Sequence, residues 1–342
     1  MRVPVELCVL LISLQAPAVL YTMNNIPALQ EPLSILGTGA VVLGTVLLLF
    51  FLTVQHKQTV DPLFYVFAEF SFTSLVGLTN ALEQEGFISG FMGFYIKMGE
   101  PHLSTAYAVM MSYWEGVVHS VLLLTIIHRM FTGKTYRSLA LLWAGSCISH
   151  QLIHIPGVVV GKYGSNIRPA FWRNAPFFLA PFWAASVLFR RPGEMPIITA
   201  DKVVLDCPLD SCFTYIYQYE PYLKDPVGFP RVTMLVYWFY AVPLLMVLIY
   251  GLRTPGSSWM LDWSLFFAGA TSQAQWCHIG ASLHSRTSFT YRVPADKLGP
   301  VIILNVLLAV IPALLALRCH TNPAYFMKTV PTEQSNGNKK EN

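Results

Sequence analysis

One stretch of this chain, residues 33–55, reads LSILGTGAVVLGTVLLLFFLTVQ and contains no charged side chain. A run of about 20 apolar residues is long enough to cross the hydrocarbon core of a bilayer. Because the bilayer offers no water to the backbone, such a segment satisfies its polar groups best as an α-helix. Similar runs recur outward from this one, so the sequence predicts an all-α, polytopic transmembrane helix bundle with about nine spans. The spans are predicted at about 6–23, 33–55, 62–82, 104–130, 138–161, 169–189, 230–251, 259–283 and 299–318.

The composition supports a membrane protein and excludes several other classes. Hydrophobic residues make up 54% of the 342 residues and charged residues only 12%, against about 25% in soluble domains. A net charge of +4 is too small to indicate nucleic acid as a partner. The six cysteines show no metal-site spacing, so no cofactor is expected. Cys207 and Cys212 share one loop and form either a disulfide or two free thiols.

The first apolar run permits two interpretations. Residues 6–23 follow a basic start and contain Ala16-Pro17-Ala18, which is typical of a signal peptide with a cleavage site. A first membrane helix has the same pattern, and we favour that interpretation.

Several motifs recur in the same order in the two halves of the chain. Glu100-Pro101-His102-Leu103 and then Tyr113-Trp114 correspond to Glu220-Pro221-Tyr222-Leu223 and then Tyr237-Trp238. Trp143-Ala144-Gly145-Ser146 corresponds more loosely to Trp263 with Ala268-Gly269-Ala270. The shared order predicts two related bundles, and membrane proteins often bind ligands within or between such repeats.

The strongest candidate site is Tyr113-Trp114-Glu115 with His119. Ionisable groups within membrane spans are costly and often functional. Glu115 and His119 are four residues apart, which places them on one helix face, where they could relay a proton or bind a polar ligand group. The alternative is a mutually satisfied pair that joins two helices.

A second group of polar residues lies in other spans. Gln275 and His278 are three residues apart and could face one cavity, or could hydrogen-bond between helices. Glu69 lies mid-span among aromatic residues and should face the bundle interior. His150 and His154 have a spacing that suits a metal, but no third ligand is evident. Arg173, near a helix end, is expected to extend towards the membrane surface.

Four segments give the chain a specific resemblance to the transmembrane 6 superfamily. They are the segments at 161–171, 205–208, 215–223 (YIYQYEPYL) and 289–294 (FTYRVP). The resemblance covers nearly the whole chain and implies two EXPERA domains, four-helix modules shared with the emopamil-binding sterol isomerase and the sigma-2 receptor. It also implies residence in the endoplasmic reticulum and the ER–Golgi intermediate compartment, and an influence on lipoprotein secretion and lipid-droplet content.

The chain departs from that family between Arg190 and Lys202, where relatives have a further hydrophobic helix. The segment here is too short and too charged to span a bilayer. We therefore predict a second EXPERA bundle that lacks its first helix; the alternatives are an inverted second bundle or a luminal tail. The basic loop near 130–138 is expected in the cytosol. Lys339-Lys340 near the C-terminus resembles a dilysine retrieval signal, which acts only from the cytosol.

These observations lead to three functional hypotheses. The first is a non-catalytic regulator that binds a sterol or other neutral lipid within the bundle, with lipoprotein-assembly or lipid-synthesis proteins as partners. The second is an isomerase-like enzyme that uses Glu115 and His119. It is weakened because the His and Glu that the isomerase carries on the helix corresponding to 72–78 are absent here. The third is a lipid transporter. The predicted organisation is N-terminal helices, first bundle, second bundle and polar tail, at 1–58, 59–190, 191–318 and 319–342.

Overall fold

The computed structural model of the chain describes residues 4–57, 60–191, 222, 225 and 228–326, and these ranges contain helices and no strand. The all-α prediction is therefore confirmed. The helices of the first half are α1 (Val5–Ser13), α2 (Ala16–Asn25), α3 (Pro32–Val54), α4 (Leu63–Gln84), α5 (Gly93–Met98), α6 (Ala106–Tyr113), α7 (Ser120–Phe131), α8 (Arg137–Val160) and α9 (Asn174–Arg190). Those of the second half are α10 (Phe229–Val236), α11 (Val242–Arg253), α12 (Met260–Leu283) and α13 (Leu298–Thr321).

Helices lie at all nine predicted spans, but they differ in how apolar they are. In the described ranges, five helical segments are long and apolar enough to cross a membrane: Val5–Asn25, Pro32–Val54, Ala106–Phe131, Val232–Arg253 and Phe289–Thr321. The others are α9, which has only 17 residues, and the longer α4, α8 and α12, whose composition is more polar. Crossing by those four helices stays a prediction.

The more polar helices form the centre of the bundle. On α8, Trp143 is fully buried, and its ring meets the rings of Phe67 and Phe70 on α4 edge-on at 5.3 and 5.0 Å. In contrast, α3 and α13 present many apolar side chains outward, such as Leu48 and Leu314. Exposed apolar side chains on outer helices match a hydrocarbon environment.

Helices α8 and α12 cross in close contact through a pair of glycines. A Cβ atom on Gly145 would lie 2.0 Å from the Phe266 carbonyl oxygen, and one on Gly269 would lie 2.1 Å from the Leu142 carbonyl oxygen. Small residues allow this approach of two backbones, as is usual between membrane helices. Both glycines belong to the motifs that recur in the two halves.

The two halves share a second feature, a π-helical turn at the repeated Tyr-Trp pair. It covers Trp114–His119 between α6 and α7, and Tyr237–Ala241 between α10 and α11. The repeated motifs thus occupy similar places in similar helices. The boundaries of the four predicted segments stay predictions.

Ion pairs and a hydrogen bond connect several helices at one end of the bundle. Arg137 at the start of α8 pairs with Asp262 at the start of α12, and Arg191 pairs with Asp61 before α4. His320 near the end of α13 lies 3.1 Å from the Leu261 carbonyl oxygen. We call this end the Arg137 end. It holds both the loop at 130–138 and the C-terminal end of α13.

Several predictions fall on residues that are not described. Arg191 lies at the Arg137 end. Gly228 lies near the opposite end of α8, where a Cβ atom on it would be 2.9 Å from the carbonyl oxygen of Gly157. The predicted loss of a helix between Arg190 and Lys202 falls almost entirely outside the described residues, which resume only after residue 191 with Tyr222. So do Cys207, Cys212 and the predicted retrieval signal Lys339-Lys340.

Candidate functional site

A cavity inside the first half of the bundle brings together most of its buried polar side chains. Residues of α2, α3, α4, α5, α6, α8 and α9 line it, together with the π-turn at 114–119. One part of the wall is apolar and includes Leu20, Met23, Val42, Leu43 and Phe72. The polar lining residues are Thr73, Ser74, Asn80, Tyr95, Glu100, Ser112, Glu115, His119, His150, Gln151, His154, Arg173 and Asn174. We call this the Glu115 cavity.

The π-turn presents Glu115 and His119 to the cavity, and each has its nearest polar partner on another helix. A Glu115 carboxylate oxygen lies 2.9 Å from Nδ1 of His150 on α8. His119 Nε2 lies 2.8 Å from the Ser146 hydroxyl, also on α8. The alternative of a mutual pair does not hold, because α8 supplies a closer partner to each side chain, which spacing within one helix cannot reveal.

A short hydrogen-bond chain surrounds His119. The Trp114 indole N–H donates to the Ser146 hydroxyl at 2.9 Å. On the other side of the imidazole ring, Nδ1 lies 3.9 Å from the Cys147 sulfur. These contacts fix the ring between the π-turn and α8, so His119 has a structural role besides lining the cavity.

A row of imidazole rings connects two carboxylates across the polar wall. His102 Nε2 lies 3.8 Å from Glu100, and the His102 and His154 ring centroids are 4.9 Å apart. The His154 and His150 rings follow at 5.2 Å, and His150 contacts Glu115. All three rings are at least 97% buried. The row places groups that can gain or lose a proton along the cavity.

The opposite end of this row is a closed ionic network around Glu100. Arg173 donates to the Tyr95 hydroxyl at 2.6 Å and lies 3.5 Å from Glu100, and Asn174 donates to Glu100 at 2.7 Å. The Tyr95 hydroxyl donates to Glu100 as well. The prediction that Arg173 extends to the membrane surface was wrong, because these buried partners hold its guanidinium inside the bundle.

The other predicted ligand residues lie outside the cavity lining. Gln275 donates to the Tyr237 hydroxyl, and the His278 ring packs 5.4 Å from that of Tyr222. Tyr113 and Trp114 precede Glu115 without lining the cavity. Neither carboxylate oxygen of Glu69 has a hydrogen-bond partner within the described ranges. Ligand contact by these residues stays a prediction.

Sequence reasoning missed Asn80, Ser112 and Gln151, which all line the cavity. Asn80 donates to the Ser112 hydroxyl at 3.1 Å, so the two helices α4 and α6 meet through an amide. A usable signal existed for Gln151, because it lies between His150 and His154 within a predicted membrane span. Ser112 is too small and too common in membrane helices to give one.

Comparison with known proteins identifies the family. Residues 15–199 match the family model described as "Transmembrane 6 superfamily member 2-like, transmembrane domain". The chain belongs to this family. Transmembrane 6 superfamily member 2 of Rattus norvegicus is 42% identical, over 96% of this chain and 97% of the relative. The proteins of that name from Mus musculus and Homo sapiens are each 41% identical, over 94% of both chains.

No solved structure matches the chain. Membership of the transmembrane 6 superfamily agrees with the resemblance carried by the segments at 161–171, 205–208, 215–223 and 289–294. The chain is thus a multi-pass membrane protein of this superfamily.

Proposed function

We propose that the chain is a regulator of lipid metabolism in the endoplasmic reticulum and ER–Golgi intermediate compartment membranes. It influences triglyceride-rich lipoprotein secretion and lipid-droplet content by binding a sterol or other neutral lipid. Partners are lipoprotein-assembly or lipid-synthesis proteins of the same membrane. The observation that carries the proposal is the Glu115 cavity, which has an apolar wall and a polar wall inside a membrane bundle.

The distribution of apolar and polar side chains over the cavity wall suits a lipid with one polar group. Ligand pockets are mostly apolar, with a few polar groups that fix orientation. Leu20 and Phe72 offer apolar surface, whereas Asn80, Gln151 and His154 offer hydrogen bonds within the same cavity. The ionic groups are paired with one another, as Glu115 is with His150, so the cavity does not demand a charged ligand.

Lipid profiling of the purified chain in mild detergent tests this proposal. Gly77 lines the cavity, and its Cβ position lies 3.5 Å from Glu115, so Gly77→Leu would place a bulky side chain at the wall. Gly44 on α3 has open space around its Cβ position, so Gly44→Leu is a matched control. We expect the parent and Gly44→Leu to retain a lipid that Gly77→Leu loses at equal protein level. Recovery of no lipid above background from the parent would contradict the proposal.

The second candidate function is an isomerase-like intramembrane enzyme. Two pairs, Glu115 with His150 and His119 with Ser146, line or adjoin one cavity, and proton addition and removal need two positioned groups. If this function holds, Glu115→Gln should abolish the isomerisation of a sterol double bond at unchanged protein level. Absence of turnover by the parent chain would contradict the enzyme function and leave lipid binding as the proposed function.

A further inference from the structure

We propose that the lipid in the Glu115 cavity carries a free hydroxyl group, whose O–H donates a hydrogen bond to Asn80 Oδ1. This inference rests on the proposed function and narrows its ligand to lipid alcohols, such as 3-hydroxysterols and diacylglycerols. Fully esterified lipids, such as steryl esters and triacylglycerols, are excluded as preferred ligands.

The orientation of the Asn80 side chain carries the argument. Its amide nitrogen donates to the Ser112 hydroxyl at 3.1 Å and towards the Leu103 carbonyl oxygen at 3.4 Å. Both N–H groups are therefore committed, and the oxygen is fixed as an acceptor. Asn80 is 98% buried and lines the cavity, yet Oδ1 has no hydrogen-bond partner in the part of the chain that is described.

Two neighbours in the cavity lining repeat this pattern. Gln151 is 94% buried and His154 is 98% buried, and neither Gln151 Oε1 nor His154 Nδ1 has a hydrogen-bond partner within the described ranges. Buried polar groups in folded proteins are nearly always hydrogen-bonded, so a cluster of open positions in one cavity indicates an occupant. An amide and a neutral imidazole each offer both a donor and an acceptor.

The hydrogen-bond chemistry of neutral lipids separates the candidates. A hydroxyl both donates and accepts, so it can donate to Asn80 Oδ1 and also accept from His154 when the Nδ1 of that ring carries the proton. A ketone or an ester only accepts, and would leave Asn80 Oδ1 buried and unsatisfied. The apolar wall, which includes Met23 and Leu43, takes the hydrocarbon part in either case. The preference for alcohols therefore depends on the O–H donor that Asn80 Oδ1 requires, and not on the size of the lipid.

A binding comparison with matched lipids tests the inference on the full chain in mild detergent. The probes are tritiated cholesterol and tritiated dioleoylglycerol, and the competitors are cholest-4-en-3-one, cholesteryl oleate and trioleoylglycerol. We expect at least one alcohol to bind about 3- to 10-fold more tightly than its ketone or ester counterpart, the size of one hydrogen bond. The two probes distinguish a sterol from a glyceride source.

Variants assign the preference to Asn80. We expect Asn80→Leu to remove the ratio of alcohol to ketone affinity, whereas Gln273→Leu keeps it. Gln273 is also buried but belongs to α12 and does not line the cavity. The readout is a ratio within one preparation, so a loss of folded protein does not change it.

Three outcomes decide between the claims. Equal affinity for the alcohols and their ketone or ester counterparts would overturn the hydroxyl inference and leave lipid binding intact. A preference for alcohols that survives in a folded Asn80→Leu variant would also overturn it, and would place a water molecule at Oδ1. If no probe binds, the proposed function itself fails.

Discussion

At the scale of single residues, Asp61 lies where two helices and a loop meet at the Arg137 end. Arg191 donates to both of its carboxylate oxygens, at 2.5 and 2.8 Å, and the Tyr136 hydroxyl donates to it as well. Burial alone would raise the pKa of Asp61, but the hydrogen bonds from Arg191 and Tyr136 outweigh it and lower the pKa. Burial, followed by the Asp61 contact, raises the pKa of Tyr136 to about 12, so it stays a donor at neutral pH.

The lowered pKa of Asp61 predicts a stability contribution with a defined pH dependence. A carboxyl group whose pKa is lower in the folded state stabilises the fold above its unfolded pKa of about 4, and this contribution is lost as the pH falls through the folded pKa. We expect Asp61→Asn to lower stability by about 1–2 kcal/mol at pH 7, a hydrogen-bond loss discounted for partial exposure. The difference from the parent chain should shrink below about pH 4.

Thermal unfolding in detergent from pH 7 to pH 3 measures this effect. Asp296→Asn is the control, because Asp296 pairs with Lys297 on the exposed surface. A stability difference for Asp61→Asn that stays constant down to pH 3 would contradict the assignment.

The partners of Glu115 and His119 give a second residue-scale prediction. Removing one member of a buried pair costs about 3–5 kcal/mol, because the other is left unpaired. We therefore expect Glu115→Leu and His150→Leu each to destabilise strongly, and the double variant to cost clearly less than their sum. Residues in contact typically couple by about 0.5–3 kcal/mol.

The same double-mutant cycle with Glu115→Leu and His119→Leu is the matched control. Its coupling should be smaller, since His119 is bonded to Ser146. Thermal unfolding in detergent measures the coupling energy in both cycles. Stronger coupling of Glu115 to His119 than to His150 would contradict these partners and favour the mutual pair that the sequence spacing allows.

At the scale of helices, the crossing of α8 and α12 depends on two glycines. A methyl group on Gly145 or Gly269 would meet the backbone of the facing helix, which cannot give way as a flexible side chain can. We expect Gly145→Ala and Gly269→Ala each to cost about 1–3 kcal/mol through overpacking. The measurements are thermal stability and membrane abundance.

Glycines on the outer surface serve as controls for this prediction. Gly37 and Gly44 on α3 have no heavy atom within 4 Å of their Cβ positions. Alanine there should be neutral or stabilising, by up to about 1 kcal/mol, because it favours the helix. If Gly145→Ala behaved like Gly44→Ala, the close crossing would be absent in the membrane.

At the scale of the whole molecule, the structure places two distant parts of the sequence at one end. The loop at 130–138 and the C-terminal end of α13 both lie at the Arg137 end, joined through Arg137, Asp262 and the contact of His320 with Leu261. The 130–138 loop and the C-terminal end of α13 should therefore face the same compartment. If Lys339-Lys340 acts as a retrieval signal, that compartment is the cytosol.

Epitope tags test this topology directly. We expect a tag in the 130–138 loop and a tag at the C-terminus to react with antibody after the plasma membrane alone is permeabilised. The physical reason is that both segments contact the start of α12, through the Arg137–Asp262 ion pair and the hydrogen bond between His320 and the Leu261 carbonyl oxygen. If one of the two tags reacted only after the internal membranes were also permeabilised, the placement of both segments at the same end would be contradicted.

The sequence by itself determined the helices. Apolar length is a local property, so runs such as residues 33–55 gave the all-α class and the places of nine helices. The family resemblance also follows from local motifs, and the comparisons confirm it. The repeated glycine and Tyr-Trp motifs were visible as well, although their meeting at a crossing and at π-turns was not.

The tertiary structure alone decided which polar groups meet. Glu115 and His119 were found because ionisable residues in an apolar run are conspicuous, but their partners come from α8, more than 25 residues along the chain. Asn80 became informative only when Ser112 and Leu103 were seen to occupy its N–H groups. The physical reason is that helix formation depends on neighbours along the chain, whereas hydrogen-bond satisfaction inside a cavity depends on groups that packing brings together from different helices.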